Sequence, residues 1–557
     1  MSQGYLCLFL HAHLPYVHHP EHEHHLEEQW LFEAITETYI PLLGVLERCV
    51  AAALPFRLTM SLTPPLVSML TSELLRRRYV RYIDKLIELS EKEIKRTRRL
   101  PDYRGLAKMY NRLFVETKEK FVHAYKQDIV SAFKRFQESG ILEIVASCAT
   151  HGFLPNLGVN PASVKAQIDI GIDRYKKTFG RPPKGFWLPE CGYFRGVDAL
   201  LKDAGIDYFF LDSHGVINAE PRPKYGVYAP IYCASGVAAF GRDWESSKQV
   251  WSAQEGYPGD PDYREYYRDI GHELDFEYIK PYIHPEGIRI NTGLKYWRIT
   301  GATEQKLPYI PEKARKKAAI HAGNFLDNRI SQIQRLFSIM DREPIVVAPY
   351  DAELFGHWWY EGPQWIEFVI QKVSKQDAVR LCTPSEYLAR HPVNQRCDPP
   401  LSSWGYKGYS EYWLDGSNDW LCRHLHAAGK RMTDLAARFK KHLKANSPKN
   451  IHCRALNQAA RELLLAQSSD WPFIMKSGTM TPYAHKRVKS HIGRFTKLYE
   501  NLRKGCFDED WLAEVERRDD IFSDMKCAKY YLPEDAGKKR KTRKNLSRAA
   551  FAKKRKN

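Results

Sequence analysis

The sequence predicts an α/β fold built on a parallel sheet or an α/β barrel, followed by an α-helical region. Up to about residue 400, short apolar runs typical of buried strands alternate with helical patterns, and this alternation favours parallel strands. Ionisable residues directly follow four of the predicted strands, as expected at the carboxyl-terminal face of a barrel, where active sites form. The predicted strands cover residues 5–9, 56–62, 142–145, 185–188, 208–211 and 345–348.

The region before residue 400 is predicted to be one catalytic unit, residues 1–400, with two additions to the strand–helix alternation. A stretch dense in Leu, Ile, Lys, Glu and Arg predicts a helical insertion at about 65–139, with a charged break around Pro101. A long loop is predicted at about 223–271, because its part 241–271 is rich in Gly, Pro, Asp and aromatic residues. Long loops on a rigid scaffold often carry function.

Two segments follow this unit. Residues 401–530 are predicted to form an α-helical domain, since apolar residues recur at helical spacing between Leu456 and Leu464. Residues 531–557 are predicted to be a basic, disordered tail, because the stretch 538–557 holds 11 basic and no acidic residues. The tail could bind nucleic acid or other polyanions weakly and in a salt-dependent way, or serve only as a solubilising end.

Composition excludes several protein classes. The 557 residues are 43% hydrophobic and 27% charged, which excludes a mainly disordered or collagenous chain. No apolar run approaches the roughly 18 residues that span a bilayer, so we predict a soluble, cytoplasmic protein without a membrane partner. Eleven cysteines without a CxxC pair predict scattered reduced thiols. No specific nucleic-acid partner is expected, and a monomer is favoured.

Glu190 and Asp351 form the central candidate pair. Each carboxylate follows a short apolar strand and has aromatic neighbours in sequence. Paired carboxylates suit glycoside chemistry, in which one attacks the anomeric carbon and the other donates and later accepts a proton. An apolar wall would keep the acid protonated near neutrality by raising its pKa. The alternative is that each carboxylate is only a salt-bridge or helix-cap residue.

Three histidines also follow predicted strands, and they leave alternatives open. His11 and His13 alternate along one strand and therefore share a face, while His151 follows another strand. They could bind zinc or iron, hydrogen-bond sugar hydroxyls and the carboxylates, or be structural. No third ligand at tight spacing favours the metal. The histidine-rich segment 18–25 is interrupted by Pro20 and is predicted to be a flexible surface loop.

Aromatic residues in polar loops predict a sugar-stacking surface. The chain has 13 tryptophans, and Trp404 and Trp413 lie in a segment rich in Gly, Ser and Tyr. Rings exposed in such loops can stack on flat sugar faces, although core packing is the alternative. Asp470 ends a predicted helix, so the helical domain is expected to reach the cleft.

Several motifs together resemble glycoside hydrolase family 57. They are HAHLPY at 11–16, GILEIVASCATHGFLP at 140–155, GFWLPECGY at 185–193 and APYDAELFGHWWYEGPQW at 348–365. Two further motifs, SSWGYKGYSEYW at 402–413 and LNQAARELLLAQSSDWPF at 456–473, are similar to the helical C-terminal domain of that family's 1,4-α-glucan branching enzymes. The resemblance covers about residues 1–530.

The resemblance implies a (β/α)7 barrel, an incomplete relative of the eight-fold barrel, with an inserted helical region and a helical C-terminal domain. It implies a retaining mechanism on α-glucans, with no metal and no cofactor, in which Glu190 is the nucleophile and Asp351 the general acid/base. The product would be an α-1,6 branch, and the alternative is an α-amylase or a 4-α-glucanotransferase. Substrate-binding positions implied by the resemblance are His11, His13, His151, Arg264, Trp404, Trp413 and Asp470.

Two details of the resemblance are open in this sequence. Arg268 lies one helical turn from Arg264 and competes for its role. Branching enzymes of this family are understood to need a mobile loop that carries a tyrosine near the cleft. The candidate segment here is 223–243, in which Tyr225, Tyr228 and Tyr232 are all options.

Overall fold

The structure is a computed structural model of the chain. It describes residues 2–252, 255–441 and 450–532. Of the predicted tail 531–557, the structure describes Tyr531, which ends the helix Ala528–Tyr531, and Leu532, whereas residues 533–557 lie outside the described residues.

A single mixed sheet forms a half-barrel at the centre of the molecule. All its neighbouring strands are parallel except β6, which runs antiparallel to β7. The order across the sheet is β6-β7-β5-β4-β3-β2-β1-β8, and β9 pairs with the beginning of β1. The strands are β1 (Gly4–Ala12), β2 (Leu58–Leu62), β3 (Leu142–Ser147), β4 (Gly185–Trp187), β5 (Tyr208–Leu211), β6 (Ile231–Tyr232), β7 (Ala238–Gly241), β8 (Ile345–Asp351) and β9 (Val379–Leu381).

All six predicted strands are confirmed, and the predicted α/β class with them. β1 and β8 continue further than their apolar runs, so that His11 and Asp351 are themselves strand residues. The three strands that sequence analysis missed, β6, β7 and β9, have two to four residues each. Such short runs carry too little pattern to be distinguished from loop.

Helices cover the sheet and build the helical insertion. The predicted insertion at about 65–139 is confirmed as four helices, and the break around Pro101 separates two of them. Proline is favoured in the first turn of a helix, where its missing N–H costs nothing. Up to residue 390 the α-helices are Glu28–Ala34, Ile40–Ala51, Pro64–Leu70, Glu73–Arg96, Pro101–Glu119, Ile129–Glu138, Leu154–Leu157, Pro161–Phe179, Val197–Asp203, Ser213–Ile217, Trp244–Trp251, Ile270–Glu273, Phe276–Ile279, Pro311–Ile339, Gly362–Val373 and Pro384–Arg390.

The described residues after 400 contain helices and no strand, as predicted. Their helices are Trp420–Arg438, Ile451–Ala466, Asp470–Ser477, Thr481–Lys504, Glu509–Arg518 and Ala528–Tyr531. The helix Ile451–Ala466 packs closely on Thr481–Lys504. None of the described helices combines the length and the apolar character that crossing a membrane requires.

The interior of the half-barrel is an aromatic core. Side chains alternate along a strand, so residues 5, 7, 9 and 11 of β1 point to one side. Tyr5, Cys7 and Phe9 belong to one buried cluster together with Trp187 and Phe210. Phe9 stacks on Trp187 with ring centroids 4.7 Å apart. The same row continues to His11 at the carboxyl end of β1, which places this histidine at the end of the barrel interior.

The assignment of a cleft-side loop to 223–243 is wrong for its tyrosines. Tyr225 hydrogen-bonds Asp341, just before β8, and the Tyr228 carbonyl accepts from the N–H of Ile345, the first residue of β8. The Tyr232 hydroxyl donates to the Pro392 carbonyl. These contacts place the three tyrosines at the amino-terminal edge of the sheet, opposite to the carboxyl ends that bear the ionisable residues.

Two other predicted loops are more ordered than expected. The stretch 241–271 contains the helix Trp244–Trp251, whose first turn is capped by the Asp243 carboxylate accepting from Ser246 N–H at 2.7 Å. The histidine-rich segment 18–25 is not wholly a surface loop, because His18 and His19 are only 4% exposed. His19 Nε2 lies 2.9 Å from the Tyr483 hydroxyl, and this contact ties the segment to the C-terminal helices.

Candidate active site

The predicted site residues lie at the carboxyl ends of adjacent strands. His11 of β1 is the register partner of Asp351 of β8. Glu190 follows β4 in a 3₁₀ turn, with φ 60° and ψ 24°, and His151 follows β3 with φ 55°. Both residues are therefore in the left-handed region, which side chains with a Cβ adopt only at a cost of about 1–3 kcal/mol. Such strain concentrates at functional sites, where it fixes the direction of a side chain.

Two donors hold the Glu190 carboxylate. Trp404 Nε1–H donates to Oε2 at 2.6 Å, and the Ser469 hydroxyl donates to Oε1 at 2.9 Å. The side chain is 13% exposed, so it is sheltered without being sealed off. Burial raises the pKa of Glu190 to about 7, and nearby Asp351 adds to this, while the donors from Trp404 and Ser469 act in the opposite direction.

Asp351 has a contrasting environment. In the part of the chain that the structure describes, no side chain or backbone group donates a hydrogen bond to its carboxyl group. Burial raises the pKa of Asp351 to about 7, and the negative charge of Glu353 adds to this rise. His13 and Arg242 oppose it. Of the two carboxyl groups, Glu190 thus has donors that stabilise its anion and Asp351 has none among the described residues, while burial raises the pKa of both to about 7.

Two of the three histidines are neutral and linked. His11 Nδ1 lies 2.6 Å from the Ser61 hydroxyl, and its Nε2 lies 3.0 Å from His151 Nε2. His151 Nδ1 lies 2.8 Å from Ser469 Oγ. Burial lowers the pKa of both rings well below the usual value, and the charge of His13 lowers it further.

His13 differs from the other two histidines, because its pKa is raised. Its Nε2 lies 3.1 Å from Asp470 Oδ1, and its Nδ1 lies 2.8 Å from the Thr63 hydroxyl. Burial alone would lower the pKa of His13, but the carboxylates of Asp470, Glu190 and Glu353 together outweigh it and raise that pKa. The ring stacks on His151 with centroids 3.8 Å apart. The ring whose pKa is raised therefore lies beside the two imidazoles whose pKa is lowered.

These histidines do not assemble a metal site, because their ring nitrogens are directed at Ser61, Thr63, Ser469, Asp470 and each other. Over the described ranges, three potential ligand atoms converge only at Glu462, His491 and Asp519, within the C-terminal helices. Arg494 pairs with both carboxylates there. A cation already in place thus balances much of the negative charge of that cluster.

The predicted sugar-binding residues divide into two groups. Trp404 contacts Glu190, and Asp470 contacts His13, so the structure brings both to the carboxylates. Trp413 is not available as a stacking surface, because it is 2% exposed and its ring stacks on Phe153. Aromatic rings in a Gly- and Tyr-rich loop give the same sequence pattern whether they point inward or outward.

Arg264 is likewise not a surface residue. It is 4% exposed, its guanidinium lies over the Tyr360 ring, and it pairs with Glu37 at 3.1 Å. Its competitor Arg268 pairs with Glu273 instead. Neither arginine contacts the carboxylate pair, so a direct substrate contact predicted for Arg264 is not supported by its position.

Sequence analysis missed three residues of this site. Ser469 precedes Asp470 and donates to Glu190, Ser61 of β2 contacts His11, and Glu353 lies two residues after Asp351. Burial raises the pKa of Glu353 to about 7, and its Oε1 accepts from the Tyr39 hydroxyl at 2.5 Å. Only Glu353 and Ser469 had a signal in sequence, namely their places within the recognised motifs.

Family comparisons agree with this geometry. A model described as glycosyl hydrolase family 57 matches residues 7–399, and one described as the C-terminal region of 1,4-alpha-glucan branching enzymes matches residues 424–530. A 1,4-alpha-glucan branching enzyme of Thermococcus kodakarensis is 32% identical over 95% of this chain and 78% of its own length.

Solved structures show the same fold. The alpha-amylase AmyC from Thermotoga maritima is 47% identical with a TM-score of 0.89, covering 96% of this chain and 100% of that one. The branching enzyme from Pyrococcus horikoshii is 33% identical with a TM-score of 0.85, covering 96% and 98%. With its half-barrel, its strand-end carboxylates and a family model that spans most of its length, the chain belongs to glycosyl hydrolase family 57.

Proposed function

We propose that the protein is a 1,4-α-glucan branching enzyme, which cleaves α-1,4 linkages and forms α-1,6 branches with retention of configuration. One observation carries this proposal. The region that matches the branching-enzyme C-terminal model supplies Ser469 to Glu190 and Asp470 to His13. The helical region is thus part of the site itself, and both named branching-enzyme relatives extend over it.

In the first step, the ionised Glu190 attacks the anomeric carbon of an α-1,4-linked glucose. The bond between C1 and the glycosidic oxygen breaks, and Asp351 transfers its proton to the departing oxygen. The product is a glycosyl ester on Glu190, with inverted configuration at C1. Trp404 and Ser469 stabilise the carboxylate before attack, and Glu190 is sheltered enough that water competes poorly for these donors.

In the second step, the 6-hydroxyl of a glucan attacks C1 from the opposite face of the ester. Asp351, now ionised, accepts the hydroxyl proton, and the carboxylate of Glu190 leaves. The second inversion restores the α configuration and completes an α-1,6 bond. If water replaces the 6-hydroxyl, the same steps produce hydrolysis. Product choice therefore depends on the acceptor and on water exclusion, not on the carboxylates.

Substrate contacts are proposed for the residues that line the carboxylate pair. The partly exposed Trp404 can stack on a sugar face, and His13 with Asp470 can hydrogen-bond sugar hydroxyls. His11 and His151 are proposed to bind the sugar unit that lies next to Glu190, because His151 Nδ1 is 3.7 Å from the Glu190 carboxylate and His11 hydrogen-bonds His151. Arg264 and Trp413 are proposed to support the cleft from beneath, since both are buried.

An α-amylase is the second candidate function, for two reasons. The structure that is 47% identical to this chain is titled an alpha-amylase. In addition, the tyrosines of segment 223–243 lie at the edge of the sheet away from Glu190, so they do not shield the ester from water. A 4-α-glucanotransferase would use the same intermediate with a 4-hydroxyl acceptor.

One experiment separates these products. Amylose is incubated with the enzyme, α-1,6 anomeric protons are followed by proton NMR, and new reducing ends are assayed in parallel, with Glu190→Gln as the inactive control. A branching enzyme produces a growing α-1,6 signal with few new reducing ends. Reducing ends without that signal would assign hydrolysis, and redistributed α-1,4 chain lengths without either would assign 4-α-glucan transfer.

Location and assembly remain part of the proposal. We propose a cytoplasmic enzyme that acts on α-glucan as a monomer, and the cytoplasmic location is consistent with the small number of cysteines and the absence of a CxxC pair in the sequence. Cell fractionation and light scattering of the purified protein test the two statements separately.

A further inference from the structure

Four hydrogen bonds connect Ser61 to the Glu190 carboxylate through two imidazoles. Ser61 Oγ lies 2.6 Å from His11 Nδ1, His11 Nε2 lies 3.0 Å from His151 Nε2, and His151 Nδ1 lies 2.8 Å from Ser469 Oγ. Ser469 Oγ lies 2.9 Å from Glu190 Oε1. Each member comes from a different part of the chain: β2, β1, the turn after β3, and the start of the helix Asp470–Ser477.

Counting the available protons shows that all four hydrogen bonds must be donated in the same direction, from Ser61 towards Glu190. An ionised Glu190 can only accept, so Ser469 must donate its single hydroxyl hydrogen to it. Ser469 Oγ then accepts from His151, which must carry its proton on Nδ1. The other nitrogen of a neutral His151 is an acceptor, so His11 donates through Nε2 and accepts through Nδ1. Ser61 therefore donates to His11.

The surroundings keep both imidazoles neutral, which the direction requires. His11 and His151 are 2% and 1% exposed. The His13 ring stacks on His151 with centroids 3.8 Å apart, and its charge lowers the pKa of His151 further. Besides Ser469, the described groups that face Glu190 are Asp351, Asp470, His13, the Trp404 indole and His151, whose Nδ1 lies 3.7 Å from Oε1. Of these, the Trp404 indole donates to the carboxylate together with Ser469.

Backbone contacts fix the two serines at the ends of this hydrogen-bonded series. Ser61 is the register partner of His11 in the β1–β2 pair, and it is fully buried. Ser469 N–H donates to the His151 carbonyl at 3.0 Å, so backbone and side chain of Ser469 both engage His151. Neither serine can therefore turn away without breaking a contact between strands or with the C-terminal helices.

We propose that Ser61 and Ser469 are positioning residues, and that the chain Ser61–His11–His151–Ser469 locks both imidazole tautomers so that a hydroxyl hydrogen always points at Glu190. The proposal rests on the proposed function only in taking Glu190 as the nucleophile. It assigns the two serines a role that acts through other residues, without contact to substrate.

The arrangement makes a remote residue important. Without the Ser61 hydroxyl, His11 is free to carry its proton on Nδ1, and its Nε2 becomes an acceptor. His151 then donates through Nε2 and accepts through Nδ1, so that Ser469 turns its hydrogen to His151. Glu190 loses a donor although nothing that touches it has been changed.

A neutron crystal structure of the deuterium-exchanged wild-type protein tests the direction itself. Deuterium is expected on His11 Nε2 and His151 Nδ1, with the Ser469 deuterium directed at Glu190 Oε1. Deuterium on His11 Nδ1 or on His151 Nε2 would overturn the proposal. This experiment needs no activity, so its outcome is independent of whether the enzyme branches or hydrolyses glucan.

The second test is the pH profile of kcat/KM for Ser469→Ala, Ser61→Ala and the double variant. Loss of a donor to the ionised carboxylate raises its pKa, so the acidic limb is expected to move upward by about one pH unit in each single variant. Since both changes remove the same donor, the double variant is expected to shift no further than Ser469→Ala alone.

Ser90→Ala is the matched control, because Ser90 is equally buried and donates to the Ile87 carbonyl in the helix Glu73–Arg96, away from the site. Its acidic limb should stay in place. Circular dichroism shows whether each variant is folded. If a variant does not fold, the neutron structure of the wild-type protein still decides the direction of the hydrogen bonds. An unmoved limb in Ser61→Ala, or shifts that add in the double variant, would refute the chain and leave Ser469 as a local contact.

Discussion

Replacing Glu353 by Gln tests how the acid is kept protonated. Glu353 Oε1 accepts both the Tyr39 hydroxyl at 2.5 Å and the His13 backbone N–H at 3.2 Å. The amide oxygen of Gln can take over both bonds, so the substitution removes the charge with little change in shape. Because the Glu353 charge helps to raise the pKa of Asp351, its removal should lower that pKa.

The size of this effect follows from distance and charge. Asp351 ends β8 and Glu353 lies in the 3₁₀ turn Ala352–Leu354, so we assign the two carboxyl groups a separation of about 6.7 Å, on the order of two residue rises. Two unit charges at this separation repel by about 2.5 kcal/mol at an effective dielectric constant of 20. The pKa of Glu353 is itself raised to about 7, so near neutrality it carries about half a charge. Half of this repulsion is about 1.2 kcal/mol, which corresponds to a shift of about 0.9 unit in the pKa of Asp351.

The assay is the pH dependence of kcat/KM on amylose. Activity requires Asp351 protonated and Glu190 ionised, so the profile is bell-shaped and centred near neutrality. In Glu353→Gln the alkaline limb should move down by about 0.9 unit, because Asp351 loses its proton at lower pH, while the acidic limb moves little. Glu47→Gln is the matched control, since Glu47 accepts from a tyrosine hydroxyl at 2.8 Å outside the site. An alkaline limb that stays in place or moves upward would refute the reasoning.

Three further predictions concern the same structure. Glu190→Gln should lower kcat by about four orders of magnitude or more without changing the thermal unfolding midpoint, and near-normal activity would remove Glu190 as nucleophile. Trp404→Phe keeps a ring but loses the 2.6 Å donor to Glu190, so kcat/KM below pH 6 should fall about 10- to 100-fold, whereas an unchanged value would make the indole N–H irrelevant. Trp365→Ala empties a fully buried core position and should lower the free energy of unfolding by about 3–5 kcal/mol in urea titrations, and a loss below 1 kcal/mol would contradict the packing described.

The carboxylates could be predicted from sequence because strand geometry determines where they go. Parallel strands bring their carboxyl ends to one face, so a residue that ends an apolar run must lie near the others. Glu190 and Asp351 each end such a run, and the structure places them together with His11 and His151. Asp470 follows no strand, since it begins the helix Asp470–Ser477, and it was predicted only from the motif that contains it.

The hydroxyls of the site could not be predicted in the same way. Ser61 lies in LTMSL, which reads as an ordinary buried strand, and Ser469 has no periodicity of its own. A serine acquires its role from what lies opposite to it, and register between distant segments is not visible in a single sequence. The burial of Trp413 and Arg264 was not visible for a related reason, since residue type does not tell on which side of a loop a side chain lies. Their contact with substrate stays a prediction.

The position of segment 223–243 in the sequence did not indicate at which edge of the sheet its tyrosines lie. Residues 223–243 come after β5 in sequence, yet they return to the amino-terminal edge of the sheet, where β6 and β7 form a hairpin. The backbone reaches the carboxyl side again at Arg242, whose N–H donates to the Leu211 carbonyl at the end of β5. The segment was a candidate only through the family resemblance, and the short hairpin that takes its tyrosines away from the site was too brief to detect in the sequence.

The most direct test of the account is to trap the covalent intermediate. A slow fluorinated maltosyl fluoride is mixed with the enzyme, the protein is digested, and the labelled peptide is sequenced by mass spectrometry. We expect one glycosyl ester on Glu190, with its breakdown accelerated by added maltosaccharide acceptor. A label on Asp351 or Glu353 instead, or first-formed products of inverted configuration, would contradict the assignment of Glu190 as nucleophile.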